Sequence, residues 1–376
     1  MDLAEQRPHL TIWETTQACD LLCQHCRADA RVGRDPGELT TTEGERLLSR
    51  LAAARVPLVV LTGGDPAKRE DLVELIAFGT EQGLNMALTP SATPLVTREL
   101  LGRVAAAGVK RLAVSVDGPD AATHDAFRRV PGSFDESLRI LRAGRELGVP
   151  TQVNTTVHAG SIERLGEIAA LVESLGSVLW SVFYLVPTGR AELASLPGAT
   201  AVEATLVQLF ELSERHAFAI KTTAAPHYRR VVLEQQRARR RASDAVAPGP
   251  GRDRAAGFRV NDGRGFLFVS HLGELFPSGF LPVSCGNVRE VDPIDVYQRH
   301  ATFRALRDED RFEGKCGACE YRKVCGGSRG RAYAMEGSVI GSDPLCSYVP
   351  PGYQGRVVIH EQRPAPRALP VAPPSP

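Results

Sequence analysis

From residue 9 to residue 187, short apolar runs alternate with longer stretches in which apolar residues recur every three or four positions. The short runs fall at 9–16, 57–63, 85–91, 111–117, 151–157 and 178–187. They are rich in Val, Ile and Leu, the pattern of parallel strands covered on both faces. The stretches at 41–54, 69–83, 97–108 and 133–148 have helical periodicity. Ser or Thr opens several of them and Gly closes several, as the unpaired backbone groups of helix ends require; Thr42 with Glu45, and Gly83, are examples. Six strand–helix repeats predict an α/β fold with right-handed crossovers, a partial (β/α)6 barrel of the TIM type, with a complete eight-stranded barrel as the alternative. Functional residues belong at the C-terminal ends of such strands. Polar residues gather there: Gly63, Gly64 and Asp65 after the second run, Ser115 and Asp117 at the end of the fourth, and Asn154 in the fifth.

The pattern changes after 187. Residues 200–240 have helical periodicity, 236–257 is basic and then rich in Pro and Gly, and 265–284 reads as a β-hairpin turning at Leu272-Gly273. The basic segment has no interleaved aromatic residues, which favours a solvated flexible loop over an RNA-binding arm. From 350 onward the chain is Pro-rich and reads as a disordered tail. These breaks divide it into a barrel (1–190), a helical connector (191–264), a small C-terminal extension (265–349) and the tail (350–376).

The 45 Lys and Arg nearly cancel the 44 Asp and Glu, so no nucleic-acid or membrane partner is expected from charge. No apolar run reaches 18 residues and the first residues lack a secretory pattern, so a cytoplasmic location is expected. The eight cysteines are segregated: 19, 23 and 26 in one group, 316, 319, 325 and 346 in another, and Cys285 alone. In a reducing compartment that grouping points to metal binding rather than disulfides.

Cys19, Cys23 and Cys26 directly follow the first strand. Three thiolates on one tight loop can hold three corners of an iron–sulfur cubane, leaving one iron open as a catalytic position. A zinc site completed by His25, or buried free thiols, are the alternatives; His25 is adjacent to Cys26, which makes four-point wrapping awkward. Cys316-x2-Cys319-x5-Cys325-x20-Cys346 supplies four thiols, enough to close a cluster or a zinc site.

Together these features resemble the radical S-adenosylmethionine superfamily over roughly residues 9–350. The resemblance implies a [4Fe–4S] cluster on Cys19, Cys23 and Cys26 whose open iron chelates S-adenosylmethionine. Reductive cleavage then gives methionine and a 5′-deoxyadenosyl radical that takes hydrogen from substrate. Gly63-Gly64-Asp65-Pro66 is similar to the family's Gly-Gly-Glu-Pro loop, which holds the methionyl ammonium, with Asp65 replacing Glu. Ser115 and Asp117 resemble the fourth-strand motif that touches ribose and carboxylate, and Arg128 resembles the arginine that pairs with that carboxylate. Asn154 is implied as a ribose or amino-acid contact, and Val186 and Pro187 as backbone beside the adenine. His25 stands where an aromatic residue commonly packs on the adenine; Glu14, Gln24 and Arg27 flank the cluster.

The C-terminal cysteines resemble the SPASM-type extension of the same superfamily. Its full pattern uses seven cysteines for two auxiliary clusters. Ser278 and Arg329 stand where two of those are expected, both for the inner cluster. One auxiliary [4Fe–4S] cluster is therefore implied, on Cys316, Cys319, Cys325 and Cys346, with an electron-transfer or structural role.

This one-cluster form resembles the subgroup that modifies tetrapyrrole (haem) side chains. His227, Arg229 and His271 are candidate partners for such a substrate, and Cys285 for a redox or substrate-linked role. Ordinary polar packing for the histidines, and a small buried hydrophobe for Cys285, are the plain alternatives. A ribosomally made peptide is the second substrate class, although the first strand begins by residue 9 and leaves no room for an N-terminal peptide-recognition domain. A non-catalytic iron–sulfur scaffold is the third reading. The family implies flavodoxin or ferredoxin as electron donor.

Overall fold

The computed structural model describes residues 6–242 and 260–361. Strands β1 (Leu10–Glu14), β2 (Leu58–Thr62), β3 (Met86–Leu88), β4 (Arg111–Ser115), β5 (Thr151–Val157) and β6 (Leu179–Tyr184) lie inside the six apolar runs. The sheet continues into β7 (Ala219–Thr223) at one edge and β8 (Phe266–Val269) and β9 (Leu275–Phe276) at the other, in the order β7-β6-β5-β4-β3-β2-β1-β8-β9. All neighbours are parallel except β8 and β9. The result is a curled partial barrel.

The six expected parallel strands are thus eight. β7 carries Lys221 and two threonines, which border the barrel's interior cavity, so it lacks the apolar signature of its neighbours. β8 forms the expected hairpin with β9, but its other edge pairs with β1, Leu10 opposite Phe266 through Trp13 opposite Val269. A partner so distant in the chain leaves no local pattern.

Helices α1 (Thr41–Ala53), α2 (Leu72–Glu81), α3 (Arg98–Ala106), α4 (Ala121–Arg128), α5 (Ser133–Glu146), α6 (Leu165–Ser174), α7 (Ala199–Arg215) and α8 (Tyr228–Ala242) follow the strands in turn. Trp13, Leu61, Leu88, Leu112, Val153 and Trp180 alternate away from the barrel interior and are buried in one core with Leu47, Leu75, Leu141, Ile168 and Leu206 from the helices. The capping box of α1 is Thr40 with Glu43, two residues earlier than expected. Gly83 closes α2 with φ +83°, a left-handed turn that glycine adopts without strain.

The expected basic loop begins later than its composition suggests. Residues 236–242 are the end of α8, where Arg239, Arg240 and Arg241 sit against the negative end of the helix dipole; the rest of that segment lies outside the described residues. Beyond β9 come α9 (Pro293–Arg299), α10 (Ala301–Arg307), α11 (Gly314–Ala318) and α12 (Arg329–Glu336). The start of the expected tail is packed rather than loose: the Ala199 N–H donates to the His360 carbonyl at 2.8 Å, and the Thr200 hydroxyl donates to Glu361 at 2.8 Å. Residues 362–376 lie outside the described residues. Among those described, no helix is long and apolar enough to cross a membrane.

Candidate functional site

The inner face of the sheet borders a cavity of about 990 Å³, at the top of the range of roughly 300–1,000 Å³ for a small-molecule site. Strand alternation turns Ile12, Val60, Ser115, Asn154, Phe183 and Phe268 into it.

Cys19, Cys23 and Cys26 border the cavity at the C-terminal end of β1. Donors surround their sulfurs. The Leu21 N–H approaches Cys19 Sγ at 3.3 Å, the Ala30 N–H approaches Cys26 Sγ at 3.4 Å, and Arg128 Nη1 approaches Cys23 Sγ at 3.4 Å. Ser91 Oγ lies 3.3 Å from Cys19 Sγ and donates to the Gly64 carbonyl at 2.6 Å. Burial pushes the Cys19 thiol up from its ordinary value, so a metal must displace its proton to bind. Three thiols on one loop, each met by a donor and all bordering the cavity, fit as holders of three corners of a cubane.

Gly63 and Gly64 are glycine for a steric reason. A Cβ on Gly63 would overlap the Thr16 carbonyl oxygen, and one on Gly64 would overlap the Ala18 carbonyl oxygen. The loop after β2 therefore lies directly on the backbone leading into Cys19, tied by Gly64 N–H to Thr16 O at 2.8 Å and Asp65 N–H to Ala18 O at 2.6 Å. Asp65 itself is buried behind the cavity wall. Its carboxylate accepts from the Thr93 hydroxyl at 2.6 Å and from the Ala67 and Ser91 N–H groups, joining the loops after β2 and β3.

Asp117 is likewise buried. It accepts from Arg128 at 2.6 Å and from the Thr156 N–H at 2.7 Å. Burial is the largest single effect and opposes its charge, but Arg128, the neighbouring His25 and His124 and the Thr156 N–H together hold its carboxyl down at about 2. The same Arg128 reaches Cys23, so one side chain joins the end of β4 to the cysteine loop. His25 borders the cavity and stacks on Phe127 at 4.2 Å, which in turn stacks on His158 at 4.0 Å. Burial, aided by Arg128, lowers the His25 pKa to about 3, so the ring is neutral. Asn154 Oδ1 accepts from Gln152 at 2.7 Å. Leu185 and Val186 border the cavity; Pro187 does not.

Sequence reasoning missed Ser91 and Gly189. Gly189, at φ +65°, packs on the Cys26 carbonyl where a Cβ would overlap, and the Arg190 N–H donates to that carbonyl at 3.0 Å. A positive-φ turn after β6 is visible as Thr-Gly in the sequence, but its contact is not.

The second cysteine group gathers on α11, the loop before α12 and the loop after it. Burial pushes the Cys325 thiol well up, and Cys346 and Cys316 push it further; burial likewise drives Cys346 up to about 12. The Gly327 N–H approaches Cys325 Sγ at 3.4 Å, the Asp343 N–H approaches Cys316 Sγ at 3.5 Å, and Arg329 Nη2 lies 3.7 Å from Cys316 Sγ. Among the described residues no three His, Cys, Asp or Glu side chains converge on a single ion.

The remaining candidates divide. Arg229 borders the cavity, and its guanidinium donates to the Val260 carbonyl at 2.7 Å. His227, His271 and Cys285 do not border it. His227 is packed beside Asp343 at 3.9 Å. His271 Nδ1 bonds Glu14 at 2.8 Å, and Glu14 pairs with Arg27, the residue of that chain that does border the cavity. Cys285 Sγ donates to the Val283 carbonyl at 3.3 Å, and burial pushes its thiol up to about 11.

A cysteine triad at the rim of a partial barrel, under a glycine loop and beside a cavity, matches what comparison finds: residues 13–173 match the model of the Radical SAM superfamily, and the chain belongs to that superfamily. It is a radical SAM enzyme, and the family implies a [4Fe–4S] cluster and S-adenosylmethionine. More particularly, it is 41% identical over 343 residues to the AdoMet-dependent heme synthase of Nitratidesulfovibrio vulgaris, covering 91% of this chain and 92% of that one. It is 29% identical over 349 residues to the PqqA peptide cyclase of Rhodopseudomonas palustris, covering 91% and 88%. Among solved structures, Streptococcus suis SuiB bound to S-adenosylmethionine superposes with a TM-score of 0.69 over 91% of this chain and 78% of that one, at 16% identity.

Proposed function

We propose that this enzyme makes haem from an iron tetrapyrrole by radical modification of its propionate side chains. The observation that carries the reading is similarity to an AdoMet-dependent heme synthase along nine-tenths of the chain. The cavity supports it: Phe183, Phe266, Phe268 and Phe280 give it flat apolar walls, suited to the face of a macrocycle.

Cys19, Cys23 and Cys26 would hold the cluster. The Gly63-Gly64 backbone, Ser115, Arg128 and Asn154 would position S-adenosylmethionine, with His25 and the backbone at Val186 beside its adenine. Asp65 and Asp117, from behind the wall, would fix the loop and the arginine. Cleaved by an electron from the cluster, S-adenosylmethionine supplies a 5′-deoxyadenosyl radical. The cavity's apolar walls would keep water from the substrate radical. Conversion of a propionate to a vinyl group removes one hydrogen atom to deoxyadenosine, one carbon dioxide and one electron. Cys316, Cys319, Cys325 and Cys346 would hold a second [4Fe–4S] cluster able to accept that electron. A cytoplasmic flavodoxin or ferredoxin would reduce the first.

The test is anaerobic incubation of reconstituted protein with dithionite, S-adenosylmethionine and Fe-coproporphyrin III. Haem and 5′-deoxyadenosine are expected together. Deoxyadenosine with an unchanged tetrapyrrole would contradict the substrate assignment and turn attention to a precursor peptide.

A further inference from the structure

We propose that Lys221 and Arg111 form an anion site inside the barrel that receives a carboxylate of the substrate. The inference rests on the tetrapyrrole reading and names which residues grip the acid groups.

Three of the six lysines and arginines bordering the cavity are already answered. Arg27 pairs with Glu14, Arg128 with Asp117, and Arg229 donates to the backbone carbonyls of Val324 and Val260. Lys221 and Arg111 border the same cavity and have no ion-pair or hydrogen-bond partner for their side chains among the described residues. The single carboxylate on the described cavity wall, Asp262, accepts the Gly330 N–H at 2.9 Å. Lys221 is exposed to the cavity and Arg111 is half-buried in its wall, so both charges are open to an incoming anion.

Position adds to charge. Lys221 stands opposite Ser181, Ser181 opposite Asn154, and Asn154 opposite Ser115, one row across four strands. Three interstrand spacings put Lys221 roughly 14 Å from Ser115, a macrocycle's breadth from the proposed S-adenosylmethionine contacts. Enclosure by the barrel walls lowers the Lys221 ammonium below its usual range, and Arg229 and Arg111 are close enough to lower it further. A carboxylate bound there would relieve that repulsion, holding one side of the ring while another propionate meets the radical.

The experiment is an anaerobic titration of reconstituted enzyme with Fe-coproporphyrin III, followed in the Soret band, for the parent, Lys221→Met, Arg111→Met and Lys221→Arg. Iron content and thermal melting establish that each variant folds, and either methionine variant alone decides. We expect the dissociation constant to rise about tenfold in each methionine variant, as loss of one charge-assisted hydrogen bond does, and Lys221→Arg to retain most of the affinity. With the ring's acid groups esterified, the parent and methionine variants should bind alike. Parent and methionine variants binding the free acid equally would overturn the anion site while leaving the tetrapyrrole reading intact. A parent that binds no tetrapyrrole would overturn both.

Discussion

Replacing Gly64 with alanine adds one methyl group where the loop after β2 meets the chain leading into Cys19. The added carbon would overlap the Ala18 carbonyl oxygen and lie 2.7 Å from the Gln17 carbonyl oxygen. Both obstacles are backbone, so neither can swing aside as a side-chain tip would. Overpacking of this kind costs about 1–3 kcal/mol. The strain falls on a loop held by the Gly64–Thr16 and Asp65–Ala18 hydrogen bonds, so we expect it to appear in ligand binding. At about 1.4 kcal/mol per factor of ten, S-adenosylmethionine affinity should fall roughly 5- to 150-fold. The assay is the change in the reduced cluster's EPR signal on titration with S-adenosylmethionine. Gly102→Ala is the control: it lies in α3 with nothing within 4 Å of an added Cβ, and helix propensity predicts stabilisation of about 0.5–1 kcal/mol with unchanged affinity. Gly64→Ala protein that binds S-adenosylmethionine like the parent would refute the cradle argument.

Further outcomes follow from the same contacts. Arg128→Met should strand the buried Asp117 carboxylate and destabilise the apo-protein by about 3–5 kcal/mol, read as a lower urea midpoint; the double variant with Asp117→Asn should recover much of the loss. Asp117, held at about 2 when folded against about 3.9 unfolded, contributes stability that is full above the unfolded value and lost as pH falls toward 2. The urea midpoints of apo-parent and apo-Asp117→Asn should therefore draw together between pH 5 and pH 2; a constant gap would argue against the assignment. Iron analysis of the reconstituted parent should give about eight atoms per chain, falling to about four when Cys19, Cys23 and Cys26 are all alanine; about four irons with bound zinc in the parent would remove the second cluster. Cys285→Ser should leave iron content and turnover unchanged, because its thiol meets the Val283 carbonyl and Thr302 and does not border the cavity.

What could be read from the sequence follows from what packing imposes locally. β1 to β6 bury their outer face in the helix-covered core and most present apolar residues to the cavity as well, so they announce themselves as apolar runs. β7 was hidden because Lys221 and its threonines face the cavity rather than the core. The site divides in the same way. Cysteine spacing and the glycine loop are local and legible. Ser91 touching Cys19, Gly189 lying on Cys26 and Lys221 without a partner among the described residues exist only once distant strands are side by side. His227, His271 and Cys285 were drawn in by residue type, and the fold turns each toward other partners.

The most direct test of radical attack on a tetrapyrrole uses Fe-coproporphyrin III deuterated at the propionate carbons next to the ring. The account predicts deuterium in 5′-deoxyadenosine, one atom for each vinyl group formed. Haem formation with unlabelled deoxyadenosine, or labelled substrate recovered intact beside abundant deoxyadenosine, would contradict it.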